Sequence, residues 1–529
     1  MSGAPPDAAG APSTQAPPPT RPSDSRPGRR FRLGLDGLYI WIALALTALK
    51  PLLTPVPPYD FWWHMAFGRW IARERQIPVA DVFSFTRAGE PFHDQSWLAQ
   101  VLLYGLHQIG GVPLLILFQA CVVTFTYGLL LWLAIRLTGR TRLAVALLLL
   151  AVEPISYDNW QIRPQSYALP LFAAFLVTLT GYRLRWWRRL WPLAPLMALW
   201  ANLHGSFALG LALIGLVLAG EGVSRWRGDD AALSWPEWRR LAAWGGICAL
   251  AALANPRGPA IAGYVAHLLR SPAVTRLITE WGSPTPRDAQ GALFYLVVIV
   301  LFVALTYARR RPRLTDMALI IPFLWLALSA GRNVVWFAMV ALPPLAAALA
   351  SRLPPPRPGS PGSPALNAAV AVVVGGLLLL ALPWVKPRLG LPPKLGALID
   401  PETPVAAVAF LRSLPDTDRP RRLFHELGAG SYLIWAAPEQ RVFVDPRIEL
   451  YPYEQVADYI RLGGGDRVEE IFSRYAFDGL LLSVRGQAEL ARRMRGDARW
   501  RTAYHDRAAV LFLPAGGRGA PGGTGGYLR

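Results

Sequence analysis

The sequence predicts an α-helical polytopic membrane protein with about eleven transmembrane helices and a small C-terminal α/β domain. Three observations lead to this prediction. Of the 529 residues, 53% are hydrophobic and 17% are charged, whereas soluble proteins carry about 25% charged residues. Long apolar runs recur between residues 36 and 385. Every second connection between these runs contains a short cluster of arginines. Beyond residue 390, shorter apolar runs alternate with polar segments.

The formal net charge of +20 would suggest nucleic-acid binding in a soluble protein. Here the arginines form short clusters between apolar runs, which indicates orientation in a membrane. No soluble segment combines a basic face with stacking aromatic residues. The two cysteines, Cys121 and Cys248, lie inside apolar runs. Their positions are typical of small buried residues and predict neither a disulfide nor a metal site.

The N-terminal segment, residues 1–32, is rich in proline, alanine, serine and arginine. It is too polar to form a core, so we predict a disordered segment. The segment is too long for a secretory signal, and so is the apolar run after it. Five arginines precede the first span and predict a cytoplasmic N-terminus: Arg21, Arg26, Arg29, Arg30 and Arg32.

A helix needs roughly 20 apolar residues to cross the hydrocarbon core. On that criterion the sequence predicts a membrane domain over residues 33–390. Its spans lie near 36–54, 111–136, 141–156, 166–182, 190–202, 207–222, 241–254, 292–307, 315–330, 333–350 and 366–385. Several runs are short, so we expect broken or re-entrant helices among them.

The arginine clusters test the span count independently. If the N-terminus is cytoplasmic and each span crosses the membrane once, every second connection is cytoplasmic. The arginine clusters lie in these cytoplasmic connections, at Arg136–Arg142, Arg183–Arg189, Arg225–Arg240, Arg309–Arg313 and Arg352–Arg357. The remaining connections face outward, and the longest of them is the first outward loop, residues 55–110. An odd number of spans also places the C-terminal segment outside.

Residues 391–514 predict an extracytoplasmic α/β domain. Strand-like runs at 441–445, 479–484 and 509–513 alternate with helical segments at 453–462, 467–476 and 486–495. Residues 515–529 are Gly-rich and predict a disordered tail.

The first outward loop concentrates residues that suit catalysis. If residues 60–76 form a helix, Asp60 and His64 share one face at i, i+4 spacing, and its tryptophans suit the membrane interface. His93 and Asp94 follow in the same loop. Two acid–histidine pairs predict either a metal site or a general base with its orienting partner. The alternative is a capped interfacial helix in which Asp60 is only the N-cap.

Three isolated arginines are predicted at outer helix ends, where positive charge is disfavoured: Arg163, Arg257 and Arg332. Because a guanidinium matches the geometry of a phosphate, they are candidates for binding phosphate or pyrophosphate. Snorkelling or pairing with a carboxylate is the alternative. His204 interrupts an apolar run and Glu280 lies near the end of the loop 255–291, so both are candidates to line the same cavity.

In the C-terminal domain, the candidates for contact with an acceptor are His425, Asp445, Arg447 and Glu449. The alternative interpretation of the VFVDPR segment is a buried strand followed by a turn with an internal ion pair.

These features resemble the glycosyltransferase C superfold, which includes the dolichyl-phosphate-mannose protein mannosyltransferases and the lipid A aminoarabinose transferases. The shared features are a cytoplasmic N-terminus, one span, and a long outward loop that opens with an acidic residue. The resemblance covers most of residues 33–515. It extends to bacterial multi-pass membrane proteins near that superfold through DFWWH at 60–64, RPQ at 163–165, NLHG at 202–205, NPRG at 255–258, GSYLIW at 430–435 and VFVDPRIELY at 442–451.

The resemblance implies transfer of a sugar from a polyprenyl-phosphate donor at the outer membrane face, with Asp60 as the essential acid. Family members often carry an Asp-Glu pair there, whereas this sequence has Asp60-Phe61, so Asp94 is the alternative acid. A divalent cation, Mg²⁺ or Mn²⁺, is a candidate cofactor.

The predicted function is therefore sugar transfer from a polyprenyl-phosphate-linked donor to an extracytoplasmic glycan, lipid or protein acceptor, in the bacterial inner membrane. The candidate catalytic residues are Asp60, His64, His93 and Asp94. The candidates for binding substrate and the lipid phosphate are Arg163, His204, Arg257, Glu280 and Arg332. A transporter or flippase of lipid-linked saccharides and a membrane scaffold are the alternatives. The sequence lacks the internal repeats common in transporters, which favours the enzyme.

Overall fold

The computed structural model of the chain describes residues 33–261, 279–355 and 362–516, together with the single residues 3 and 263. The predicted disordered N-terminus and Gly-rich tail therefore lie outside the described residues, apart from positions 3, 515 and 516. The described part is mostly helical, with one small sheet, as the sequence predicts.

The described helices of the membrane part are α1 (Leu35–Leu53), α2 (Asp60–Glu74), α3 (Trp97–Thr138), α4 (Thr141–Leu147), α5 (Pro164–Arg183), α6 (Leu193–Leu203), α7 (Ala208–Trp226), α8 (Trp235–Ala251), α9 (Ala289–Tyr307), α10 (Leu314–Ser329), α11 (Val334–Arg352) and α12 (Pro364–Ala381). A π-helical turn (Leu148–Val152) and a 3-10 helix (Pro154–Trp160) follow α4. Shorter 3-10 turns are Gly205–Phe207, Thr279–Trp281 and Gly331–Asn333.

Every predicted span coincides with a helix of the structure, counting α4 and its two following turns together. Within the described residues, 6 helices are long and apolar enough to cross a membrane alone. The segments Thr141–Val152 and Pro154–Trp160 would form a seventh span, bent by 63°. This bend confirms the expectation of a broken helix, while the crossing of all eleven helices stays a prediction.

The two ends of the helix bundle differ in charge. Arg163 immediately precedes α5 and Arg183 ends it, and a helix of 20 residues is about 30 Å long. At the Arg183 end, a buried network joins three helices. Arg183 Nε lies 2.8 Å from Glu221 Oε1, and Arg183 Nη2 lies 3.2 Å from Asp316 Oδ1. The arginine-rich connections α3–α4, α5–α6 and α9–α10 gather at this end.

The C-terminal part forms a four-stranded sheet with helices packed against it. Its strands are β1 (Leu423–His425), β2 (Gly479–Ser483), β3 (Trp500–His505) and β4 (Ala509–Pro514), in the order β1-β2-β4-β3. β1 pairs parallel to β2, and the other pairs are antiparallel. The helices are α13 (Pro393–Gly396), α14 (Val405–Ser413), α15 (Leu427–Ala436), α16 (Tyr453–Gly463), α17 (Val468–Tyr475) and α18 (Ala488–Arg495), with 3-10 turns at Lys386–Arg388 and Ile448–Leu450.

One predicted strand is wrong. Residues 442–445 are buried, but the segment 441–445 forms only an isolated bridge, between Val442 and Ser84 of the first outward loop. Val442 N donates to Phe83 O, and Phe85 N donates to Val442 O. Phe443 N donates instead to His425 Nε2 at 2.9 Å. The apolar run therefore reflects burial between the loop and the sheet rather than membership of the sheet. Strands β1 and β3 and helices α13, α14 and α15 were not predicted from the sequence.

The first outward loop is clamped between the membrane helices and the C-terminal part. Trp62 and Trp63 are buried rather than facing the membrane interface, which corrects that expectation for α2. Trp63 N donates to Ser431 Oγ at 3.0 Å, and the Arg69 guanidinium lies 4.5 Å from the ring centroid of Trp435. Residues of α2, α14 and α15 also share one hydrophobic core with the membrane helices. This packing holds the start of α2 in place.

Candidate functional site

A cavity of about 570 Å³, here called the central cavity, lies where the first outward loop, several membrane helix ends and the C-terminal part meet. Its lining includes six of the predicted site residues: Asp60, His64, Arg163, His204, Glu280 and Arg332. The C-terminal part supplies another wall, with Leu427, Pro446, Ile448, Glu449, Val456, Tyr459 and Ile460. Residues from distant parts of the sequence therefore face one space.

Asp60 is placed by the start of α2, directly after a proline-rich turn. The N-cap of α2 is Tyr59, and no side chain caps the helix, so Asp60 is not the N-cap. Its carboxylate is 34% exposed, and its Oδ2 lies 3.6 Å from Arg163 Nη1. Burial raises the pKa of Asp60, and the Arg163 guanidinium opposes that rise only in part. The site thus contains an accessible carboxylate with increased basicity.

Arg163 is held in an extended conformation before Pro164, because the residue that precedes a proline avoids helical geometry. Its Nη1 donates to both carboxylate oxygens of Glu280, at 2.9 and 3.1 Å. Burial favours a higher pKa for Glu280, but Arg163 and Arg332 outweigh it and lower that pKa. Arg163 Nε is buried without a hydrogen-bond partner among the described residues. One guanidinium therefore bridges Asp60 and Glu280.

Arg332 reaches the cavity from the Gly331–Asn333 turn. Its Nη2 donates to Gln165 Oε1 at 2.8 Å, and its guanidinium lies 4.9 Å from the ring centroid of Trp281. Asn159 Nδ2 donates to the Arg332 carbonyl oxygen at 3.1 Å. A hydrogen bond and an aromatic face together orient this guanidinium, which suits recognition of an oxyanion.

The two histidines of the central cavity are neutral near pH 7. Burial lowers the pKa of His204 to about 3, and Arg332 and Arg163 add to that effect. Burial likewise lowers the pKa of His64. Ser206 N donates to His204 Nδ1 at 3.1 Å, so the proton of His204 resides on Nε2. Neutral imidazoles offer hydrogen bonds without adding positive charge.

The other three predicted residues line a different space. His93, Asp94 and Arg257 face a lateral cavity of about 750 Å³. Arg257 Nη2 donates to the carbonyl oxygen of Phe92 at 3.1 Å, and His93 Nε2 lies 3.0 Å from Gln95 Oε1. The predicted set therefore separates into two groups.

Asp94 reaches the central cavity only through other side chains. Gln100 Nε2 donates to Asp94 Oδ1 at 2.7 Å and lies 3.2 Å from His64 Nδ1. Asp94 is 5% exposed, and burial raises its pKa to about 7 against the opposing hydrogen bond from Gln100. Through Gln100 this carboxyl orients His64, but it does not face Asp60 across the cavity.

A narrower cavity of about 310 Å³ shares Arg163, Glu280 and Arg332 with the central cavity. Its lining continues past Asp158 to Phe294 and Val334, which lie on α9 and α11. The two arginines therefore stand at a junction between the central cavity and a space against the membrane helices.

Three of the four C-terminal candidates do not face the central cavity. Arg447 is fully buried, and its Nη2 contacts Asp445 Oδ2 at 2.6 Å and Asp81 Oδ1 at 2.7 Å. Tyr451 donates to Asp445 Oδ2 at 2.6 Å. His425 is buried under the Phe443 backbone. These contacts favour the paired-turn interpretation over acceptor contact for His425, Asp445 and Arg447.

Glu449 is the exception among the C-terminal candidates. It lies on the Ile448–Leu450 turn, lines the central cavity, and has a pKa that burial raises to about 7. The buried Arg447–Asp445–Asp81 contacts lie just before this turn and fix it to the first outward loop. A third carboxyl group, after those of Asp60 and Glu280, thus enters the cavity from the C-terminal part.

Several residues that line the central cavity were not predicted as site residues from the sequence, including Trp63, Gln165, Trp281 and Tyr459. Gln165 lies within the RPQ string and Trp281 follows Glu280, so proximity to selected residues was an available signal. Tyr459 lies on the amphipathic helix α16 and its hydroxyl accepts from Leu427 N at 3.0 Å. No sequence signal distinguishes it from a surface tyrosine.

Within the described ranges, no group of three or more histidine, cysteine or acidic side chains could hold a metal ion. Asp60 stands beside a guanidinium instead. These residues do not fit the oxygen-rich ligand set of Mg²⁺. The divalent cation stays a prediction, and no chemical step below passes through it.

The fold is similar to that of two solved membrane glycosyltransferases. The oligosaccharyltransferase of Archaeoglobus fulgidus, in the apo form, is 12% identical with a TM-score of 0.51, over 86% of this chain and 71% of that chain. ArnT from Cupriavidus metallidurans, bound to undecaprenyl phosphate, is 14% identical with a TM-score of 0.51, over 90% of this chain and 97% of that chain. No protein-family model matches the chain, and no curated protein matches it.

At these identities the similarity shows the fold alone. The chain has the glycosyltransferase C fold, and the fold class predicted from the sequence is confirmed. The roles of individual residues rest on the geometry described above.

Proposed function

We propose that this protein is a membrane glycosyltransferase that moves a sugar from a polyprenyl-phosphate-linked donor to an acceptor hydroxyl on the outer side of the bacterial inner membrane. The observation that carries the proposal is the pair Asp60 and Arg163, 3.6 Å apart in a cavity that Arg332 also lines. This pair supports a role for Asp60 as a base beside groups suited to a phosphate. The glycosyltransferase C fold and the undecaprenyl phosphate bound to ArnT support a lipid-phosphate donor.

Asp60 would act as the general base. The acceptor oxygen attacks the anomeric carbon of the sugar as the bond from that carbon to the phosphate oxygen breaks. The electron pair of the broken bond stays on the phosphate, and the acceptor proton moves to Asp60. The raised pKa of Asp60 suits this role, because proton transfer is most effective when the pKa of the base approaches the working pH. Attack opposite the leaving phosphate inverts the anomeric centre.

Arg163 and Arg332 would stabilise the phosphate as it gains negative charge. Preorganised donors contribute most where they are already oriented and water is excluded. Glu280 orients Arg163, and Gln165 orients Arg332. The narrower cavity that shares both arginines leads to α9 and α11, so the lipid chain would lie on that side.

The sugar would lie between the arginines and the two neutral histidines. His204 presents Nε2–H as a donor, and His64 is oriented by Gln100. The C-terminal wall remains for the acceptor, with Glu449 as its polar group. Glu449 would accept a hydrogen bond from an acceptor hydroxyl, whether the acceptor is a glycan, lipid or protein.

The test is transfer of radiolabelled sugar from a polyprenyl-phosphate donor by the purified, reconstituted protein to a panel of acceptors. Asp60→Asn should lower transfer by about 10²- to 10⁴-fold while leaving donor binding in place. The matched control is Asp466→Asn, because Asp466 is exposed and lies outside the cavities. If wild type moves the intact lipid-linked saccharide between leaflets and Asp60→Asn does so equally well, the flippase alternative holds and this proposal is wrong.

The proposal also requires the central cavity to face outward. Ile460 lines that cavity and is 48% exposed, so Ile460→Cys reports its side of the membrane. With Cys121 and Cys248 replaced by alanine, a membrane-impermeant thiol reagent should label position 460 in intact spheroplasts. Protection there, with labelling only after lysis, would place the cavity in the cytoplasm and contradict the proposal.

A further inference from the structure

A second polar cavity lies at the opposite end of the helix bundle from the central cavity. Its volume is about 660 Å³. Arginines from the α3–α4 connection, the end of α5 and the α9–α10 connection line it: Arg140, Arg183, Arg309, Arg310, Arg311 and Arg313. We call it the arginine cavity. The proposed sugar transfer uses none of these residues.

Acidic groups do not neutralise the arginine cavity. Asp316 is the acidic residue of its lining, and Arg183 already pairs with both Asp316 and Glu221. The arginines at 309–311 are exposed, and across the described part of the chain no hydrogen bond or ion pair engages their guanidinium groups. Arg140 Nη2 donates to the main-chain carbonyl of Leu353 at 3.2 Å, which leaves its charge unbalanced.

The wall below the arginines is apolar. Leu176, Leu305 and Val340 belong to the lining, on α5, α9 and α11. Nearby on α9, Phe302 and Val303 are exposed, as expected for a surface in contact with lipid. The cavity therefore joins a cationic rim to an apolar wall at the end of the bundle, where the predicted topology places the cytoplasmic bilayer surface.

Membrane orientation alone does not require this arrangement. Positive charge orients a span from any position in a short connection, so the same arginines could point away from one another. Here connections that are distant in sequence converge on one space, and that space continues onto apolar side chains. A soluble anion would use the rim alone and make no use of these apolar side chains.

We propose that the arginine cavity binds an anionic glycerophospholipid of the inner leaflet, with its phosphate among the arginines and an acyl chain along the apolar wall. Basic pockets between transmembrane helices on the cytoplasmic side are suited to such headgroups. A lipid with two phosphates, such as cardiolipin, can pair with more of the arginines in the rim than a lipid with one phosphate. This assignment does not depend on sugar transfer at the other end of the bundle.

Native mass spectrometry of the purified full chain tests the proposal, with cardiolipin, phosphatidylglycerol or phosphatidylcholine added to the detergent solution. We expect retention to decrease in that order. Inorganic phosphate at millimolar concentration should leave bound cardiolipin in place. Complete displacement by phosphate would indicate a soluble-anion site, and equal retention of phosphatidylcholine would indicate non-selective lipid contact. Either outcome would overturn the proposal.

The variant is Arg309→Gln/Arg310→Gln/Arg311→Gln, and the matched control is Arg188→Gln/Arg189→Gln/Arg240→Gln. The control removes three exposed arginines from the same predicted side but outside the cavity. We expect cardiolipin binding to weaken on the order of 10- to 100-fold in the variant and to stay within about 3-fold in the control. Equal weakening in both would mean that overall charge, rather than the cavity, retains the lipid.

Thermal unfolding provides the check on folding. Cardiolipin should raise the Tm of wild type and of the control, because a ligand that binds the folded state stabilises it. The variant should unfold near the lipid-free wild-type temperature and gain little from cardiolipin. If the triple variant does not fold, Arg309→Gln alone is measured, with an expected loss of about 3- to 10-fold in binding. Undiminished binding by a folded variant would overturn the proposal.

Discussion

The central and lateral cavities are built from the same residue types and share helix α2. The N-terminal end of α2 gives Asp60 and His64 to the central cavity, and its C-terminal end lines the lateral cavity. Each cavity also holds a histidine and an arginine from elsewhere in the chain. The carboxyl groups nevertheless have different surroundings. Asp60 is 34% exposed beside Arg163, whereas Asp94 is 5% exposed and hydrogen-bonded to the amide of Gln100.

The arginines differ in the same way. In the central cavity Arg163 and Arg332 are oriented by carboxylate and amide side chains, and both border open space. In the lateral cavity Arg257 donates to the main-chain carbonyl of Phe92, which ties the NPRG segment to the first outward loop. A carboxylate, a histidine and an arginine make a reactive site only where they share accessible space. Because Asp94 is buried, we expect the lateral group to support the shape of the loop rather than catalysis.

The largest contrast is expected between Asp60→Asn and Asp94→Asn. Loss of a general base lowers kcat/KM by about 10²- to 10⁴-fold, so Asp60→Asn should fall in that range. Asp94 has a pKa of about 7 and is partly protonated at neutral pH, so asparagine resembles its resting state. We expect a loss below about 10-fold for Asp94→Asn. Steady-state transfer of radiolabelled sugar measures both losses. Equal losses would contradict the difference between the two acids, and a larger loss for Asp94→Asn would exchange their roles.

The arginines provide the next contrast. Arg332→Ala should lower kcat by about 10²- to 10³-fold, the usual cost of removing a preorganised donor to a developing oxyanion. Arg332→Lys should restore only part of this activity, because lysine lacks the planar fork. Arg257→Ala should stay within a few-fold of wild type. A large loss of kcat in a folded Arg257→Ala protein would move the phosphate site to the lateral cavity.

A smaller effect is expected at the C-terminal wall of the central cavity. Glu449→Gln should raise the acceptor KM by about 3- to 10-fold, the worth of one hydrogen bond, with the donor KM unchanged. Since the pKa of Glu449 is about 7, the acceptor KM of wild type should depend on pH between about 6 and 8. Glu449→Gln should lack that dependence. If the donor KM changes instead, the C-terminal wall contacts the sugar donor.

The smallest effect concerns stability. The folded protein keeps a proton on Asp94 up to about pH 7, whereas the unfolded chain loses it near the ordinary value of 3.8. Between pH 3.8 and about pH 7 the folded state therefore binds more protons than the unfolded chain. The free energy of unfolding falls as pH rises through that range. Asp94→Asn should lack this contribution, so its Tm relative to wild type should increase from pH 5 to pH 8. A constant difference across that range would contradict the assignment of a raised pKa.

Much of the membrane part could be predicted because its signals are local. Apolar runs of nearly bilayer length gave the helices, and the proline-rich turn before Asp60 indicated the start of α2. The C-terminal helices α16, α17 and α18 and the strands β2 and β4 could be predicted from periodicity, whereas α13, α14 and α15 were not predicted. The segment 441–445 could not, because burial between a loop and a sheet produces the same apolar run as a strand within the sheet. β3 is mostly exposed and lacks that signal.

The site residues show the same division between what local sequence indicates and what packing decides. Polar residues at predicted outer helix ends led to Asp60, Arg163, Arg332 and Glu280, because polar groups are rare at membrane depth. Their grouping with His204, and the exclusion of His93, Asp94 and Arg257, depend on how helices distant in sequence pack.

The sequence by itself indicated that this chain is a membrane protein, approximately where its membrane helices lie, and which polar residues stand near their ends. Those properties depend on hydrophobicity and charge within about 20 neighbouring residues. Only the tertiary structure decided that Asp60 and Arg163 meet, that Asp94 is buried beside Gln100, and that Glu449 enters the cavity from the C-terminal part. The meeting of Asp60 with Arg163, and of Glu449 with both of them in one cavity, joins residues more than 100 positions apart. Such contacts form through packing of whole elements, which no local pattern encodes.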